Sequence, residues 1–260
     1  MRPSFLQLQS PYLAAIIEAA TPDATIASIL KCEHDGAEAF AVSLAGWERG
    51  KLTLEELSRV FHCSGRPMMP LCYRSGSLAA DKLDDDARAE LLLLTLDAGA
   101  AACDIMGDMY DPAPRERTRN PQAIEKQKRL IDRVHAKSAE VLMSSHAPGE
   151  FLTGEEILEH LSDFVSRGAD IPKIVVRADS EDELIEAFRT TVLLRRELQV
   201  PFVHLCVGRY ARLQRYVAPS LGAALTFGTE AAVQGPQPLV RAARAVLDRL
   251  NWHLPYPEGE

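Results

Sequence analysis

The sequence has none of the marks of several common protein classes. Its five cysteines are odd in number and scattered, with no C-x-x-C pair, which argues against a disulfide framework and suits reduced thiols in a cytoplasmic protein. No run of lysine or arginine stands out against a formal net charge of −8, so we expect no nucleic-acid partner. The apolar stretch before Glu18 is too short for a signal peptide or a membrane span. We therefore expect a cytoplasmic protein with a small-molecule partner and no membrane association.

A glycine-rich phosphate loop is also missing after the first apolar run, while the material for a large core is present. Hydrophobic residues make up 47% of the 260 residues and charged residues 25%, a composition typical of a globular protein. Short apolar runs alternate with longer segments of helical periodicity, which is typical of βα units. The eight runs cover residues 13–18, 39–44, 68–73, 102–106, 140–145, 173–176, 202–207 and 223–227.

Two architectures produce this alternation of strands and helices. A doubly wound open sheet usually carries a glycine-rich loop after its first strand, whereas eight strands is the number in an α/β barrel. Helix starts are indicated by capping-box pairs at Thr53 and Glu56, Thr153 and Glu156, and Ser180 and Glu183. The sequence therefore predicts one (β/α)8 TIM barrel domain over residues 1–260.

Chemistry in such barrels lies at the carboxyl ends of the strands and on the loops that follow them. The polar residues at the predicted strand ends are Glu18, Ser43, Arg74, Asp108, His146, Lys173 and the stretch 209–215. Lys173 begins a predicted strand, and two interpretations stay open: a lysine that extends to solvent, or an enclosed amine with a lowered pKa that attacks a carbonyl. His146 ends the preceding strand, either as a hydrogen-bonded structural residue or as a proton-transfer group beside Lys173.

A longer segment around these two residues resembles a known family. Residues 141–176, VLMSSHAPGEFLTGEEILEHLSDFVSRGADIPKIVV, are similar to the core signature of type I 3-dehydroquinate dehydratases. The resemblance implies that His146 and Lys173 are the catalytic pair of a Schiff-base lyase that needs no cofactor. It also implies a homodimer.

The resemblance extends to both sides of this segment, over about four fifths of the chain. Residues 71–75, LCYRS, resemble the family's strand that ends in an arginine, and residues 222–227, GAALTF, resemble its last strand. The stretch 208–215 resembles the loop whose arginine holds the substrate carboxylate, which implies that role for Arg215. Arg74 is a second candidate for the same role, since a guanidinium forms charge-assisted hydrogen bonds with a carboxylate.

Several positions depart from the family pattern. Ala41, Ser43 and Ala45 stand where the family has a Glu-x-Arg-x-Asp pattern, so that Ser43 is the one polar candidate for substrate contact on that strand. Met106 stands where the family has the glutamate that orients the histidine. Further along, Ala232 and Pro236 replace a serine and a glutamine, unless Gln234 or Gln237 takes over.

The lost glutamate leaves His146 without its family partner. Asp108 and Glu18 are candidates for the carboxylate that contacts His146. The alternative is that they are loop acids that accept hydrogen bonds from the backbone. Cys103, Asp104, Asp108 and His146 match no closed metal-ligand spacing, so we expect no metal.

Three functions remain open from the sequence. The first is dehydration of 3-dehydroquinate to 3-dehydroshikimate through an imine on Lys173. The second keeps the imine but acts on a different carboxylated ketone, as a dehydratase or an aldolase-type lyase. It stays open because polar residues that contact the substrate in the family are replaced here. The third is a catalytically silent barrel that binds a metabolite.

Overall fold

The computed structural model describes residues 2–74, 83–233 and 235–254. Along these residues eight strands alternate with helices. The strands are β1 (Tyr12–Ile17), β2 (Ala39–Ser43), β3 (Met68–Leu71), β4 (Ala102–Met106), β5 (Glu140–His146), β6 (Ile171–Arg177), β7 (Val203–Val207) and β8 (Leu225–Thr229). The helices are α1 (Pro22–His34), α2 (Leu54–Phe61), α3 (Asp85–Asp97), α4 (Pro121–Ala136), α5 (Gly154–Arg167), α6 (Glu181–Glu197), α7 (Ala211–Val217) and α8 (Val240–Leu250). No helix among the described residues is long and apolar enough to cross a membrane.

All strand pairs are parallel and follow the order of a barrel. Two four-stranded sheets have the orders β3-β2-β1-β8 and β4-β5-β6-β7. Backbone hydrogen bonds link them at both seams, from Ala101 N to Met68 O at 2.7 Å and from Ala224 N to Phe202 O at 2.9 Å. Each strand therefore neighbours the next in sequence around the ring, and the predicted (β/α)8 fold is confirmed.

The strands are buried on both faces because helices cover the outside of the ring. Every residue of β2, AFAVS, and of β4, ACDIM, is buried. This explains why the strands appear in the sequence as continuous apolar runs rather than as an alternating pattern.

Strand β6 begins at Ile171, two residues before the predicted start at Lys173. Asp170 fixes this entry, because its backbone N–H donates to Val141 O at 2.9 Å and its carboxylate accepts from Val141 N at 2.7 Å. Lys173 consequently lies inside the strand, paired with Ser144 on one side and Val203 on the other. The structure thus places the lysine at the depth of the barrel interior rather than at its entrance.

Two of the three predicted capping boxes form in full. Thr153 with Glu156 and Ser180 with Glu183 exchange both hydrogen bonds at the starts of α5 and α6. At α2, Thr53 accepts from the Glu56 backbone N–H at 3.3 Å, but the Glu56 carboxylate pairs with Arg59 at 2.5 Å instead. That helix therefore has half of the expected box.

Candidate active site

Lys173 is enclosed at the centre of the barrel, with only 5% of its surface exposed. Its Nζ lies 2.7 Å from Tyr73 Oη, 3.2 Å from His146 Nε2 and 3.5 Å from Asp104 Oδ2. A buried ammonium is costly unless polar groups satisfy its hydrogens. These contacts favour the enclosed amine over a lysine that extends to solvent.

His146 is the last residue of β5, and its ring is held by an acid that the sequence did not indicate. The ring Nδ1 lies 2.7 Å from Glu116 Oε2, and the His146 backbone N–H donates to the same oxygen at 2.9 Å. Because a carboxylate only accepts, Nδ1 carries the hydrogen and Nε2 presents its lone pair to Lys173. The imidazole is therefore oriented as a proton acceptor beside the amine.

The carboxyl group of Glu116 stays ionised although it is largely buried. Burial raises the pKa of its carboxyl, but the hydrogen bonds from the His146 side chain and backbone, and the charge of Lys173, outweigh burial, so the net pKa is lowered. Glu116 is thus ionised near neutral pH, and its negative charge faces the imidazole of His146.

Glu116 lies in a short 3-10 turn, Pro114–Glu116, between β4 and α4. Arg115 and Glu116 both have left-handed backbone angles, with φ of 59° and 44°, which cost non-glycine residues free energy. Ser145 Oγ donates to Arg115 O at 2.5 Å and helps hold the turn against the barrel. Gly107 makes room for it, because a Cβ there would lie 2.6 Å from Glu116 O.

The two acids considered as partners of His146 lie elsewhere, and Glu116 contacts the imidazole instead. Asp108 accepts both hydrogen bonds of Arg74 Nη1, at 3.1 Å each, and one from Ala113 N at 2.9 Å. Glu18 follows β1 and is exposed. Asp108 thus has local partners, whereas the turn after β4 brings Glu116 to the histidine.

Two of the predicted substrate-binding residues do not line the cavity that contains Lys173. Arg74 Nη2 pairs with Asp85 at 2.9 Å in addition to its contacts with Asp108. Ser43 Oγ accepts from Ala45 N at 3.3 Å at the end of β2. Residue 75 of the matching stretch 71–75 lies outside the described residues. Arg74 and Ser43 have structural partners that explain their positions without a substrate.

Arg215 lines the cavity that contains Lys173. It lies on α7, is 3% exposed, and its Nε donates to Cys206 O at 3.0 Å. Burial lowers the pKa of its guanidinium to about 10, which still leaves it charged at neutral pH. No carboxylate pairs with it among the described residues. A buried cation at the cavity wall without a counter-ion is a natural site for an anionic group of a ligand.

The cavity has a volume of about 340 Å³ at the carboxyl ends of the strands. Its polar lining consists of Tyr73, Glu116, His146, Lys173, Arg215 and Gln237. The apolar lining consists of Ile16, Leu71, Pro148, Val175, Leu205, Val207 and Phe227. Gln237 is one of the two glutamines considered as a replacement in the last loop, and the other, Gln234, lies outside the described residues.

Tyr73 and Asp104 are functional candidates that the sequence analysis did not single out as site residues. Tyr73 Oη lies 2.5 Å from Asp104 Oδ2, and Ser144 Oγ lies 2.5 Å from Asp104 Oδ1. Burial and the Asp104 charge raise the pKa of the Tyr73 phenol well above its ordinary value. Tyr73 therefore keeps its hydrogen and donates it to Asp104.

The thiol and the two acids whose spacing matches no metal site each contact a different partner. Cys103 Sγ faces Leu92 O at 3.7 Å, Asp108 pairs with Arg74, and Asp104 accepts from Tyr73. Within the part of the chain that the structure describes, no three His, Cys, Asp or Glu side chains are arranged to hold a metal ion.

Comparison with known proteins decides the family. The model of the type I 3-dehydroquinase family matches residues 52–251. The chain belongs to the type I 3-dehydroquinase family. The matched residues include Lys173, His146, Glu116 and Arg215.

The curated relatives are distant and match in part. The 3-dehydroquinate dehydratase of Klebsiella pneumoniae strain ATCC 700721 is 28% identical over 124 residues, which are 47% of this chain and 49% of the relative. The enzyme of the same name from Alkaliphilus oremlandii is 28% identical over 108 residues, 41% of this chain and 42% of the relative. The match thus spans about half the length of these type I 3-dehydroquinase relatives.

Solved structures of the family share the fold over nearly the whole chain. The type I 3-dehydroquinate dehydratase of Clostridium difficile, solved with covalently modified comenic acid, has a TM-score of 0.78 at 19% identity and covers 94% of each chain. The enzyme of Geobacillus kaustophilus has a TM-score of 0.80 at 15% identity, over 94% of this chain and 92% of that one. At these identities the likeness concerns the barrel fold.

Proposed function

We propose that this chain is a hydro-lyase that dehydrates 3-dehydroquinate to 3-dehydroshikimate through an imine on Lys173. The observation that carries the proposal is the enclosed Lys173 amine beside His146 Nε2, at 3.2 Å, in a cavity whose wall also holds the buried guanidinium of Arg215. Family membership supports the same reaction.

Arg215 binds the substrate carboxylate and so directs the ring ketone toward Lys173. The guanidinium offers paired N–H donors, and its burial makes the charge-assisted bond strong. The lysine amine adds to the ketone carbon, and loss of water from the carbinolamine leaves an iminium ion. Because this ion withdraws electrons, it acidifies the neighbouring carbon and makes its proton accessible to an ordinary base.

His146 supplies that base. Its free Nε2 faces the reacting amine, and Glu116 on Nδ1 stabilises the imidazolium that forms when the α-proton is taken. The imidazolium then protonates the departing hydroxyl, which leaves as water. Hydrolysis of the conjugated imine releases the enone and restores Lys173.

Two measurements test the proposal. Conversion of 3-dehydroquinate produces new ultraviolet absorbance from the conjugated enone. Borohydride added during turnover reduces the imine, and mass spectrometry then finds the added mass on Lys173. Absence of both signals in folded protein contradicts the proposal, and binding of 3-dehydroquinate without an adduct would instead favour a silent metabolite-binding barrel.

A second candidate keeps the imine and changes the ketone. The seven apolar residues of the cavity face a substrate ring, and the polar lining residues other than Arg215 and Gln237 already bond to one another. An apolar wall leaves ring hydroxyls without partners, which disfavours a polyhydroxylated substrate. The test is trapping with 1-hydroxy-3-oxocyclohexane-1-carboxylate, which keeps the carboxylate, the ketone and the leaving hydroxyl but lacks the other two hydroxyls. More efficient turnover of this analogue than of 3-dehydroquinate supports the second candidate.

We also propose a cytoplasmic homodimer, on the family resemblance and the reduced cysteines. Light scattering of the purified protein tests the dimer, which has twice the 28.6 kDa mass of one chain. A mass of one chain at micromolar concentration contradicts it.

A further inference from the structure

Lys173 lies between two separate pairs, each made of a bridging side chain and a carboxylate. On one side His146 connects it to Glu116, with distances of 3.2 and 2.7 Å. On the other side Tyr73 connects it to Asp104, with distances of 2.7 and 2.5 Å. Lys173 Nζ also contacts Asp104 Oδ2 directly at 3.5 Å, and each hydrogen bond of the Tyr73 bridge is shorter than this direct contact.

The two hydrogen bonds of the Tyr73 bridge have the same donor-to-acceptor direction, from Lys173 toward Asp104. An ammonium group only donates, so Lys173 donates to Tyr73 Oη, and the single phenol hydrogen is left for the carboxylate. Ser144 Oγ lies 2.5 Å from the other oxygen of Asp104 and fixes its orientation. The chain of donors therefore leads from Lys173 through Tyr73 to Asp104.

We propose that Tyr73 is a proton-transfer residue that passes the Lys173 ammonium proton to Asp104 before the amine attacks the ketone. A proton moves from Nζ to Tyr73 Oη as the phenol proton moves from Oη to Asp104 Oδ2. The products are a neutral amine and a carboxylic acid, and the phenol is neutral before and after. This inference rests on the proposed imine chemistry and adds a step that precedes it.

A second proton acceptor resolves a conflict at His146. The α-proton of the substrate must go to His146 Nε2, but an imidazole that had already taken the lysine proton would be a cation with no lone pair left. Storage of the lysine proton on Asp104 keeps His146 free for the substrate. The same route returns the proton to Lys173 when the imine is hydrolysed.

The decisive variant is Tyr73→Phe. It keeps the ring, which packs edge-on against His146 at 5.0 Å, and it keeps Asp104 as a counter-ion, but it removes the bridge. The rate of imine formation is measured in single turnovers from pH 6 to 10 with borohydride quenching and intact mass. We expect Tyr73→Phe to be about 100-fold slower at pH 7, as for loss of a proton-transfer group, and to approach the wild-type rate as hydroxide takes over the deprotonation. Tyr110→Phe, which removes a hydroxyl outside the cavity, is the control and should match the wild type.

A deficit of equal size at every pH would mean that Tyr73 only positions the lysine, and it overturns the proposal. So does a wild-type rate at pH 7. If Tyr73→Phe does not fold by circular dichroism, Asp104→Asn decides. The relay predicts slower imine formation at pH 7 because the acceptor is gone, whereas a mere counter-ion role predicts faster formation because the charge that holds the ammonium is gone.

A measurement without substrate separates this inference from the proposed reaction. Cyanate slowly carbamylates neutral amines, so its rate at Lys173, measured by peptide mass spectrometry, reports the equilibrium share of neutral amine that is maintained when the bridge leaves the proton on Asp104. We expect slower carbamylation in Tyr73→Phe than in the wild type at pH 7 and equal rates at high pH. Equal rates at pH 7 overturn the relay, whereas the expected difference with no imine in the wild type would mean that the relay holds and the proposed reaction fails.

Discussion

Glu116 Oε2 accepts two hydrogen bonds from one residue, the backbone N–H of His146 at 2.9 Å and its ring Nδ1 at 2.7 Å. The first fixes the carboxylate against the end of β5, and the second fixes the tautomer and the plane of the imidazole. The acid and the histidine therefore act as one unit.

Glu116→Gln tests this unit. The amide keeps the size of the side chain but removes the charge that stabilises the imidazolium, so we expect the rate of enone formation to fall by about 100-fold or more. Imine formation should persist, so the borohydride adduct on Lys173 should accumulate. Glu197→Gln, at an exposed position on α6, is the matched control. Unchanged enone formation in Glu116→Gln would remove Glu116 from the mechanism.

Lys173→Ala should abolish both the enone signal and the borohydride adduct, because the nucleophile is gone. Lys128→Ala removes an exposed lysine from α4 and should leave both signals at wild-type levels. Circular dichroism establishes that each variant is folded. Enone formation by Lys173→Ala at the wild-type rate would contradict the imine mechanism.

Arg215→Ala should weaken binding of the carboxylate by about 2–5 kcal/mol, the range for loss of one partner of a buried charge pair. Calorimetric titration of Lys173→Ala with 3-dehydroquinate measures binding without turnover. The same titration of Lys173→Ala/Arg215→Ala gives the difference. Equal affinities would place the carboxylate elsewhere in the cavity.

Two buried histidines predict a loss of stability in acid. Burial lowers the pKa of His204 to about 4 and that of His160 to about 3, from an ordinary value of 6.5. Below pH 6.5 the unfolded chain binds protons that the folded chain does not, so the free energy of unfolding falls as the pH falls through this range. At pH 5 the loss is about 2 kcal/mol for each histidine.

Urea unfolding at pH 7.5 and 5.0 measures this loss. In His204→Leu, the loss of unfolding free energy that the two histidines cause should be about half as large, because leucine fills the buried site without titrating. His62→Gln changes an exposed histidine and should show the wild-type loss. An equal pH dependence in His204→Leu and the wild type would mean that His204 does not carry the effect.

The sequence predicted the barrel well because buried parallel strands are continuous apolar runs with capped helices between them. The sequence predicts that Lys173 and His146 lie close together, because residues at the ends of adjacent strands in a barrel are neighbours in space, and the two side chains are 3.2 Å apart. In the pairing of β5 with β6, Lys173 lies opposite Ser144, and His146 lies opposite Val175. The prediction of a single domain over residues 1–260 stays a prediction.

Glu116 was missed for a physical reason. The loss of the strand acid at Met106 suggested a substitute close in sequence, but a loop is free to bring an acid from further along the chain. The left-handed angles of Arg115 and Glu116 leave no clear sequence signal, since neither is a glycine. With Glu116 in place, Met106→Glu should bury a second acid at a desolvation cost and give no gain in rate.

Tyr73 stands beside Arg74 in the LCYR stretch, and the sequence does not show which of the two side chains faces the cavity. Successive residues of an extended segment point to opposite sides. Here the phenol contacts Lys173 and the guanidinium of Arg74 contacts Asp85 and Asp108. Which of the two neighbours faces the cavity depends on the strand end, and this is the least certain part of a sequence-based prediction.

Most of the polar groups around Lys173 lie in one of the two hydrogen-bonded halves of the ring. Strands β4 to β7 carry Asp104, His146 and Lys173, and Arg215 follows β7, so nearly all reacting groups share one continuous sheet. The other half contributes Ile16, Leu71 and Phe227 to the wall of the cavity. Under the proposed mechanism, substitutions at Ile16, Leu71 or Phe227 would change the shape of the cavity without removing Asp104, His146 or Lys173.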